Sequence, residues 1–467
     1  MKWGNAHGAK GLTEFEPCYG YSPHTLRWIR EHKKNMSQSQ LFLNRWARIR
    51  LKAGDETVVF NNLLTHIDRH SLREAYNALD GSKALGIDRI SKCDYGKQLE
   101  DNLNNLAERI HRGTYRPQAK REVLIPKANG KQRPLAVGCF EDKLVEWTVA
   151  KILTNVYEPV FIRNSFGFRS DKSAHQAIKA TYQSLKDNKR PYVVEIDFAQ
   201  FFNTIPHRQM MKILSRRIAD RRFKGLIGRL MQAAILTADG AITPTEVGTP
   251  QGSIASPILA NIYLNELLDQ WFVQNHASYN SIIVRYADDA VFLFRSEETA
   301  MTFVEQLYQR VAAYGLELNR EKTRIITFRN TEKTQFDFLG FTFYWGKGVG
   351  RKHLLKVKTQ KKGLHKKLQE FDHWVKEIRS QLKLSEIWSL AKAKLRGHYE
   401  YYGYWMNRPK LNHFYYEAVR SLFRWLNRRS QKRSYSWEGF QERLKQFPLG
   451  EPPPINQLRN LGWNPYV

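Results

Sequence analysis

The sequence predicts an α+β chain that passes into a basic, helical C-terminal region. Three observations carry this. Short β-branched runs alternate with helix-period segments in the middle of the 467 residues, the period turns helical beyond residue 360, and positive charge gathers in that same last quarter. Residues 347–467 hold 26 Lys and Arg against 9 Asp and Glu, a net +17 out of +30 for the whole chain. Such an excess calls for a polyanionic partner. With 42% hydrophobic and 13% aromatic residues the chain can bury sizeable cores, which excludes a disordered basic tail protein. Its length argues for roughly two to four domains. Cys18, Cys93 and Cys139 lie far apart with no CxxC pair, excluding a disulfide framework or zinc-finger spacing. No stretch approaches the ~18 apolar residues of a membrane span, and the N-terminus lacks the apolar core of a signal peptide. The expectation is a soluble protein of a reducing cytoplasm, with no membrane partner.

Taken in order, Gln40 to Lys52 reads as a helix within an extension over 1–60. Val193 to Asp197 and Ile282 to Tyr286 are short β-branched runs, each followed by acidic residues, and read as buried strands. Ala290 to Phe294 is a third strand, so Ala287-Asp288-Asp289 forms the tip of a hairpin. Ser296 then caps a helix with Glu297 and Glu298 in its first turn and Ala300, Val304, Leu307, Val311 and Tyr314 at helical spacing up to Gly315. The Gly- and Lys-rich stretch Trp345 to Lys352 reads as a boundary or a hairpin connection, and a domain junction is expected at 345–355. Beyond it, Leu364, Leu368, Phe371, Val375, Ile378 and Leu382 make one stripe, and Leu411, Phe414, Val419, Leu422, Phe423 and Leu426 another. A helical bundle should follow, with a basic segment over 431–467.

Asp197, Asp288 and Asp289 are the candidate catalytic residues. Phosphoryl transfer by two metal ions needs carboxylates gathered within a few ångströms, because hard Mg²⁺ takes oxygen ligands and bridges the attacking and leaving oxygens. Adjacent aspartates at an apolar hairpin tip point to opposite sides, so one of the pair shares a site with an aspartate from a neighbouring strand. Asp288 is expected to be the stronger ligand. A solvated turn is the competing reading of Asp-Asp alone.

The blocks around these residues resemble reverse transcriptases, in the form encoded by bacterial and organellar group II introns. Tyr286-Ala287-Asp288-Asp289 is similar to the YxDD box of that family, and Ile196 to His207 to its first catalytic aspartate motif. Gly248-Thr249-Pro250-Gln251-Gly252 through Ile262, Ile125-Pro126-Lys127 with Arg133-Pro134-Leu135, Ser165 to Arg169, Leu318 to Thr323 and Phe338 to Phe341 match further blocks in family order. Leu395 to Tyr404 resembles the thumb, or maturase X domain. The resemblance implies a right-hand polymerase: fingers over 61–190 with part of the palm, a palm with an antiparallel sheet over 191–345, and a helical thumb over 346–430. It implies two Mg²⁺ ions, with Mn²⁺ as an alternative, held by Asp197, Asp288, Asp289 and the Phe198 carbonyl. Lys127 and Arg133 would meet the incoming triphosphate, Phe202 would pack against its sugar, and Gln251 would hold template or nucleotide. Phe338, Leu339, Gly340 and Lys322 would contact primer and template. Two departures are Asn203 where the family has Asp and Arg89 where it has Gly; neither removes a metal ligand.

Arg420, Arg424 and Arg428 fall at i, i+4 and i+8 on one helix face, where like charges repel by ~0.2 to 0.5 kcal/mol per pair unless an anion relieves them. With Lys361, Lys362 and Lys366 they are the candidate RNA-binding residues. Tyr399, Tyr401, Tyr402, Tyr404 and Trp405 would stack on bases or pack between helices. The expected protein is an RNA-directed DNA polymerase that binds intron RNA as a splicing maturase and promotes retrohoming, with RNA, a DNA primer or target and dNTPs as partners, in a bacterial cytoplasm and at the nucleoid when on DNA. The alternatives are a domesticated, free-standing relative in DNA repair or phage defence, and an RNA-binding splicing factor with a vestigial polymerase. After residue 430 there is neither Cys nor His, so the zinc-bearing HNH nuclease of many relatives is not expected, and the target would be already nicked or single-stranded.

If the Phe202 ring packs against C2′ of the incoming nucleotide, Phe202→Val raises ribonucleotide over deoxyribonucleotide incorporation by one to three orders of magnitude, roughly 1.4 to 4 kcal/mol of discrimination. Single-nucleotide incorporation with matched dNTP and rNTP reads the ratio. An unchanged ratio with lowered thermal stability makes Phe202 a packing residue.

Overall fold

The computed structural model describes residues 44–126, 132–276, 280–348, 351–429 and 434–454. Helices α1 (Arg45–Ala53), α2 (Arg69–Ala78) and α3 (Leu99–Arg112) lead to the hairpin β1 (Lys120–Pro126) and β2 (Gln132–Val137), then to α4 (Phe140–Tyr157) and α5 (Ala174–Leu185). Strand β3 (Tyr192–Ile196), helices α6 (His207–Ser215) and α7 (Arg221–Met231), the short strands β4 (Ile235–Leu236) and β5 (Ile242–Thr243) and helix α8 (Ser256–Leu264) follow. Next come β6 (Ile282–Tyr286), β7 (Asp289–Phe294), α9 (Glu297–Ala313), β8 (Arg324–Thr327), β9 (Gln335–Phe338), β10 (Phe341–Gly348) and β11 (Arg351–Thr359). Four helices close the described chain: α10 (Lys361–Ile378), α11 (Leu384–Tyr402), α12 (Arg408–Leu426) and α13 (Trp437–Gln446).

An antiparallel sheet in the order β6-β7-β3-β8 divides two hydrophobic cores. Successive side chains of a strand face opposite ways, so Ile196, Ala290, Phe292 and Phe294 enter one core while Val193, Val291 and Leu293 enter the other. Burial on both faces explains why these strands read as continuous apolar runs. Helix α9 covers the first face with Ala300, Phe303, Leu307 and Val311, and starts where expected: the Ser296 side chain accepts the Thr299 amide. Helix α5, the sheet β11-β10-β9 and the C-terminal helices fill the second core.

Packing crosses the expected borders. At 345–355 the chain makes no linker: β10 and β11 form a hairpin, pairing Phe341 with Thr359 and Gly348 with Arg351. Gly346 and Gly348 lie at the end of β10, and Phe343 and Val357 are buried in the same core as the helices. The C-terminal region is therefore a helical bundle capped by a three-stranded sheet. Beyond 430, α13 buries Phe440, and the following Leu449 is buried too, so residues 437–449 are anchored on the bundle core by these two side chains. At the other end α1 begins at Arg45, capped by Asn44, and buries Trp46, Ile49 and Ala53; residues 40–43 of the expected helix lie outside the described residues. Among the described residues no helix is long and apolar enough to cross a membrane.

Phe303 has no exposed surface and lies 4.5 Å from Phe292 and 5.0 Å from Phe294, ring centre to ring centre. Phe303→Ala should lower unfolding free energy by about 3 to 5 kcal/mol in urea titration. A loss below about 1 kcal/mol would contradict close packing of α9 on the sheet.

Candidate functional site

Strands β6 and β7 are joined by two residues, Ala287-Asp288, with Tyr286 paired to Asp289 and Ala287 left-handed at φ +57°. A non-glycine residue keeps that conformation only when its surroundings hold it. Arg285 does so. It is wholly buried and uses all five guanidinium N–H groups. Nε and Nη2 donate to the two Asp269 carboxylate oxygens at 2.7 and 2.5 Å, Nη2 also to Ser165 Oγ at 2.8 Å, and Nη1 to Asn261 Oδ1 at 3.0 Å and the Ala287 carbonyl at 2.9 Å. Asn261 in turn donates to the Gly167 carbonyl at 2.7 Å. A Cβ on Gly167 would stand 2.3 Å from the Ala287 nitrogen, which is why glycine occupies the middle of Ser165 to Arg169.

Asp197 follows the end of β3. Because Ile196 pairs with Ala290, the next rung sets Asp197 opposite Asp289. Asp289, on the face of Val291 and Leu293, is the one across the ladder, and Asp288, expected to be the stronger ligand, sits in the turn itself. Asp289 has surface open to solvent, yet crowding protein atoms desolvate its carboxyl and, with the Asp288 and Asp197 carboxylates, push it up to about 6 against the opposing pull of Lys322. Lys322 Nζ donates to Asp197 Oδ2 at 2.9 Å, and the Asn319 amide to the Asp197 carbonyl at 2.7 Å, so the Leu318 to Thr323 block docks on the first aspartate. Three carboxylates around one sheet end are the oxygen donors a hard divalent cation takes, and their mutual repulsion is what such a cation relieves. As placed, no three His, Cys, Asp or Glu side chains among the described residues are close enough to hold a metal ion.

The Gly248 to Ile254 loop is fastened on both sides of this sheet end. The Gly248 amide donates to the Ile205 carbonyl at 2.8 Å and the Thr249 amide to the Phe202 carbonyl at 2.7 Å. Gly248 has φ +87°, and a Cβ on it would lie 2.7 Å from the Asn203 oxygen. On the other side the Gln251 carbonyl accepts the Ala136 amide of β2 at 2.6 Å, and the Ile254 amide donates to Glu146 of α4 at 2.8 Å. Glu146 is buried and paired to the equally buried Lys120 at 2.5 Å. Phe202 is half-buried and edge-on to Phe201, and Phe198 is buried against Phe201. Gln251 and Phe202 thus belong to one assembly beside Asp197.

Other expected residues divide. Lys127 lies outside the described residues; Arg133 stands on β2 opposite Ile125, and its side chain lies outside them. Phe338 is buried core, so only the turn Leu339-Gly340 is open to a ligand. Both turn residues are left-handed, at φ +50° and +77°, as a two-residue hairpin requires. Arg420 pairs with Glu417 at 3.4 Å and Arg424 with Asp372 at 3.2 Å, while Arg428 lies past the end of α12 over the Trp425 ring. Carboxylates of the chain itself relieve the repulsion that pointed to an external anion at Arg420 and Arg424. Lys361, Lys362 and Lys366 are exposed on α10, Lys366 beside Glu370 at 3.2 Å. Tyr399, Tyr402 and Tyr404 are buried, and Tyr401 is exposed. Arg89 has φ +56°, the conformation that suits the family's glycine. Sequence reasoning missed Arg285, Asp269, Asn261, Lys120 and Glu146; the signal was a charged residue inside an otherwise apolar run, Ile282-Ile283-Val284-Arg285-Tyr286.

Residues 125–343 match the family model described as reverse transcriptase (RNA-dependent DNA polymerase). Protein YkfC of Escherichia coli K12 is 29% identical over 327 residues, 62% of this chain and 84% of that protein. The group II intron-encoded protein LtrA of Lactococcus lactis is 34% identical over 220 residues, 46% of this chain and 36% of its own. The putative COX1/OXI3 intron 2 protein of Saccharomyces cerevisiae is 33% identical over 216 residues, 45% and 25% of the two chains. The chain thus spans most of the first relative and about a third or a quarter of the others.

Two outcomes follow from this geometry. Arg285→Met leaves Asp269 buried without its partner and should lower stability by about 3 to 5 kcal/mol, and Arg285→Met with Asp269→Leu should regain much of it; chemical denaturation of both variants is the check. Secondly, the folded Asp289 carboxyl keeps its proton to higher pH than the unfolded one, so the metal-free protein loses stability as pH rises from about 4 to about 6. Asp289→Asn should flatten that slope in melts across the window, whereas Asp142, raised to about 6 chiefly by burial, titrates alike in both proteins.

Proposed function

The chain belongs to the reverse transcriptases of the group II intron-encoded kind, and from that premise we propose that it is an RNA-directed DNA polymerase extending a primer 3′-hydroxyl with deoxynucleoside triphosphates. The observation that carries this is the meeting of Asp197, Asp288 and Asp289 at one end of the central sheet, where desolvation and then its like-charged neighbours raise the Asp289 carboxyl to about 6. Two Mg²⁺ ions, or Mn²⁺ in their place, bound by these aspartates and the Phe198 carbonyl would supply the Lewis acidity that activates the primer hydroxyl and bears the charge of the leaving pyrophosphate.

The chain's own residues do the rest. Arg285 fixes the turn, so Asp288 and Asp289 need no reorganisation when substrate arrives. The Gly248 to Ile254 loop positions Gln251 against template or nucleotide, and Phe202 below it limits the room at the sugar. Lys127 and Arg133 on the β1–β2 fingers neutralise the triphosphate. Lys322, held on Asp197, is a cation placed beside the transferring phosphoryl group. Leu339-Gly340 is the primer contact at the junction of palm and thumb. The basic thumb, with Lys361, Lys362, Lys366 and Arg428 foremost, holds template or intron RNA by phosphate contacts and supports maturase action and retrohoming.

The test pairs primer extension on an RNA template with filter binding. Asp288→Asn should abolish extension while RNA affinity stays near wild type, because it removes a ligand charge without touching the basic surfaces. Extension above a tenth of the wild-type rate overturns the assignment, since a ligand to a catalytic Mg²⁺ contributes several kcal/mol.

A further inference from the structure

Where the Leu339-Gly340 turn meets α10, α11 and α12, the structure forms an open cavity of about 530 Å³. Its walls include Phe371, Tyr401, Tyr402 and His398, and Lys367 and Lys394 stand on its rim. That volume lies in the range of small-ligand sites. Two features of the wall are not explained by packing.

The first is His398. It is 7% exposed, stacks on Phe414 at 3.6 Å between ring centres, and has no hydrogen-bond partner on either ring nitrogen. Burial, with Lys367 nearby, holds its pKa down to about 3, so the ring is neutral and carries one donor and one acceptor. A buried polar atom left unpaired by the protein needs a partner from outside it, such as a water, an ion or a ligand. The second is Gly397, in the interior of α11. A Cβ there would meet nothing within 4 Å, so no neighbour demands glycine. Glycine in a helix interior costs about 1 kcal/mol relative to alanine, a cost that keeps the space open.

A donor–acceptor pair between aromatic walls, below two ammonium groups, matches a nucleobase with its flanking phosphates. Glu370 is also on the wall, and its carboxylate is 3.2 Å from Lys366, which offsets its charge toward an anion. Tyr401 ties the cavity to the candidate active site: its hydroxyl donates to the Leu339 carbonyl at 3.0 Å, and burial, Tyr402, Tyr286 and Asp289 together push it up to about 12. We propose that this cavity takes one unpaired nucleotide of a single-stranded nucleic acid, its base against His398 and its phosphates on Lys367 and Lys394. The proposal rests on the reading of the chain as a nucleic-acid enzyme and adds to it a site for a single base.

The probe is a short abasic oligodeoxynucleotide bearing one 2-aminopurine, compared with its wholly abasic counterpart, both titrated into the full chain without dNTP or divalent metal. The base should tighten wild-type binding about tenfold, ~1.4 kcal/mol, with a saturable change in 2-aminopurine fluorescence. Gly397→Leu fills the cavity and raises helix propensity, and His398→Phe keeps the stacked ring but removes both nitrogens. In each, the base should matter less than twofold. Lys367→Gln with Lys394→Gln should lessen the slope of log affinity against log salt by ~1 or more. Equal binding of the two oligonucleotides by wild type, or the same base effect in Gly397→Leu, overturns the proposal. Should His398→Phe fold poorly, Gly397→Leu alone decides. Primer extension is scored separately. A wild type that extends primers without base-dependent binding refutes the cavity and leaves the polymerase; base-dependent binding lost in Gly397→Leu, without extension, does the reverse.

Discussion

One saturated guanidinium organises the candidate active site. Arg285 is taken out of water among apolar strands, and a buried charge is tolerable only when paired and fully hydrogen-bonded. Asp269, Asn261, Ser165 and the Ala287 carbonyl meet all five donors, and they come from the α8 helix and its continuation, the loop after α4 and the hairpin turn itself. Moving any of these groups would leave part of the guanidinium unsatisfied. The left-handed Ala287, and hence Asp288 and Asp289, are fixed by that requirement more than by the sheet ladder, which ends at the Tyr286–Asp289 rung.

A second buried pair does the same for the neighbouring loop. Lys120 and Glu146 lie in the region of β1, β2 and α4, and the spare Glu146 oxygen accepts the Ile254 amide. The loop between Gly248 and Ile254 is thereby stretched between the two parts of the molecule, which is why it holds glycines: Gly248 passes against Asn203, and a Cβ on Gly252 would lie 2.9 Å from the Ala136 oxygen. Side chains thick enough to separate the backbones would release the Gln251 carbonyl from the Ala136 amide. Both charged pairs are stationed where a loop must keep one conformation while substrate is absent.

Charge on the C-terminal helices follows another rule. Asp372 accepts from Ser421 Oγ at 2.7 Å and Trp425 Nε1 at 2.9 Å as well as from Arg424, so a single carboxylate ties α10 to α12. Part of the basic row is thus committed to packing, while Lys361 and Lys362 at the start of α10 and Lys367 at the cavity rim are exposed. Counting positive residues along a helix does not separate these uses, because the partner carboxylate lies 52 residues away in the chain.

Much of the fold was legible in local pattern. The three strands, the hairpin tip and the Ser296 cap follow from β-branched runs and a capping serine, whose physics acts over a few residues, and the aspartates stand out because carboxylates seldom end apolar strands. What tertiary structure decided is everything that depends on register or distant pairing. Whether Asp288 or Asp289 faces Asp197 turns on a one-residue step, since each step along a strand reverses its side chains. The Gly-rich stretch at 345–355 became a hairpin instead of a border because Phe343 and Val357 had a core to enter. The roles of Arg285 and Glu146 were invisible in sequence for the same reason: a charge is made tolerable inside a protein only by partners brought from elsewhere in the chain, and those are chosen by the fold as a whole.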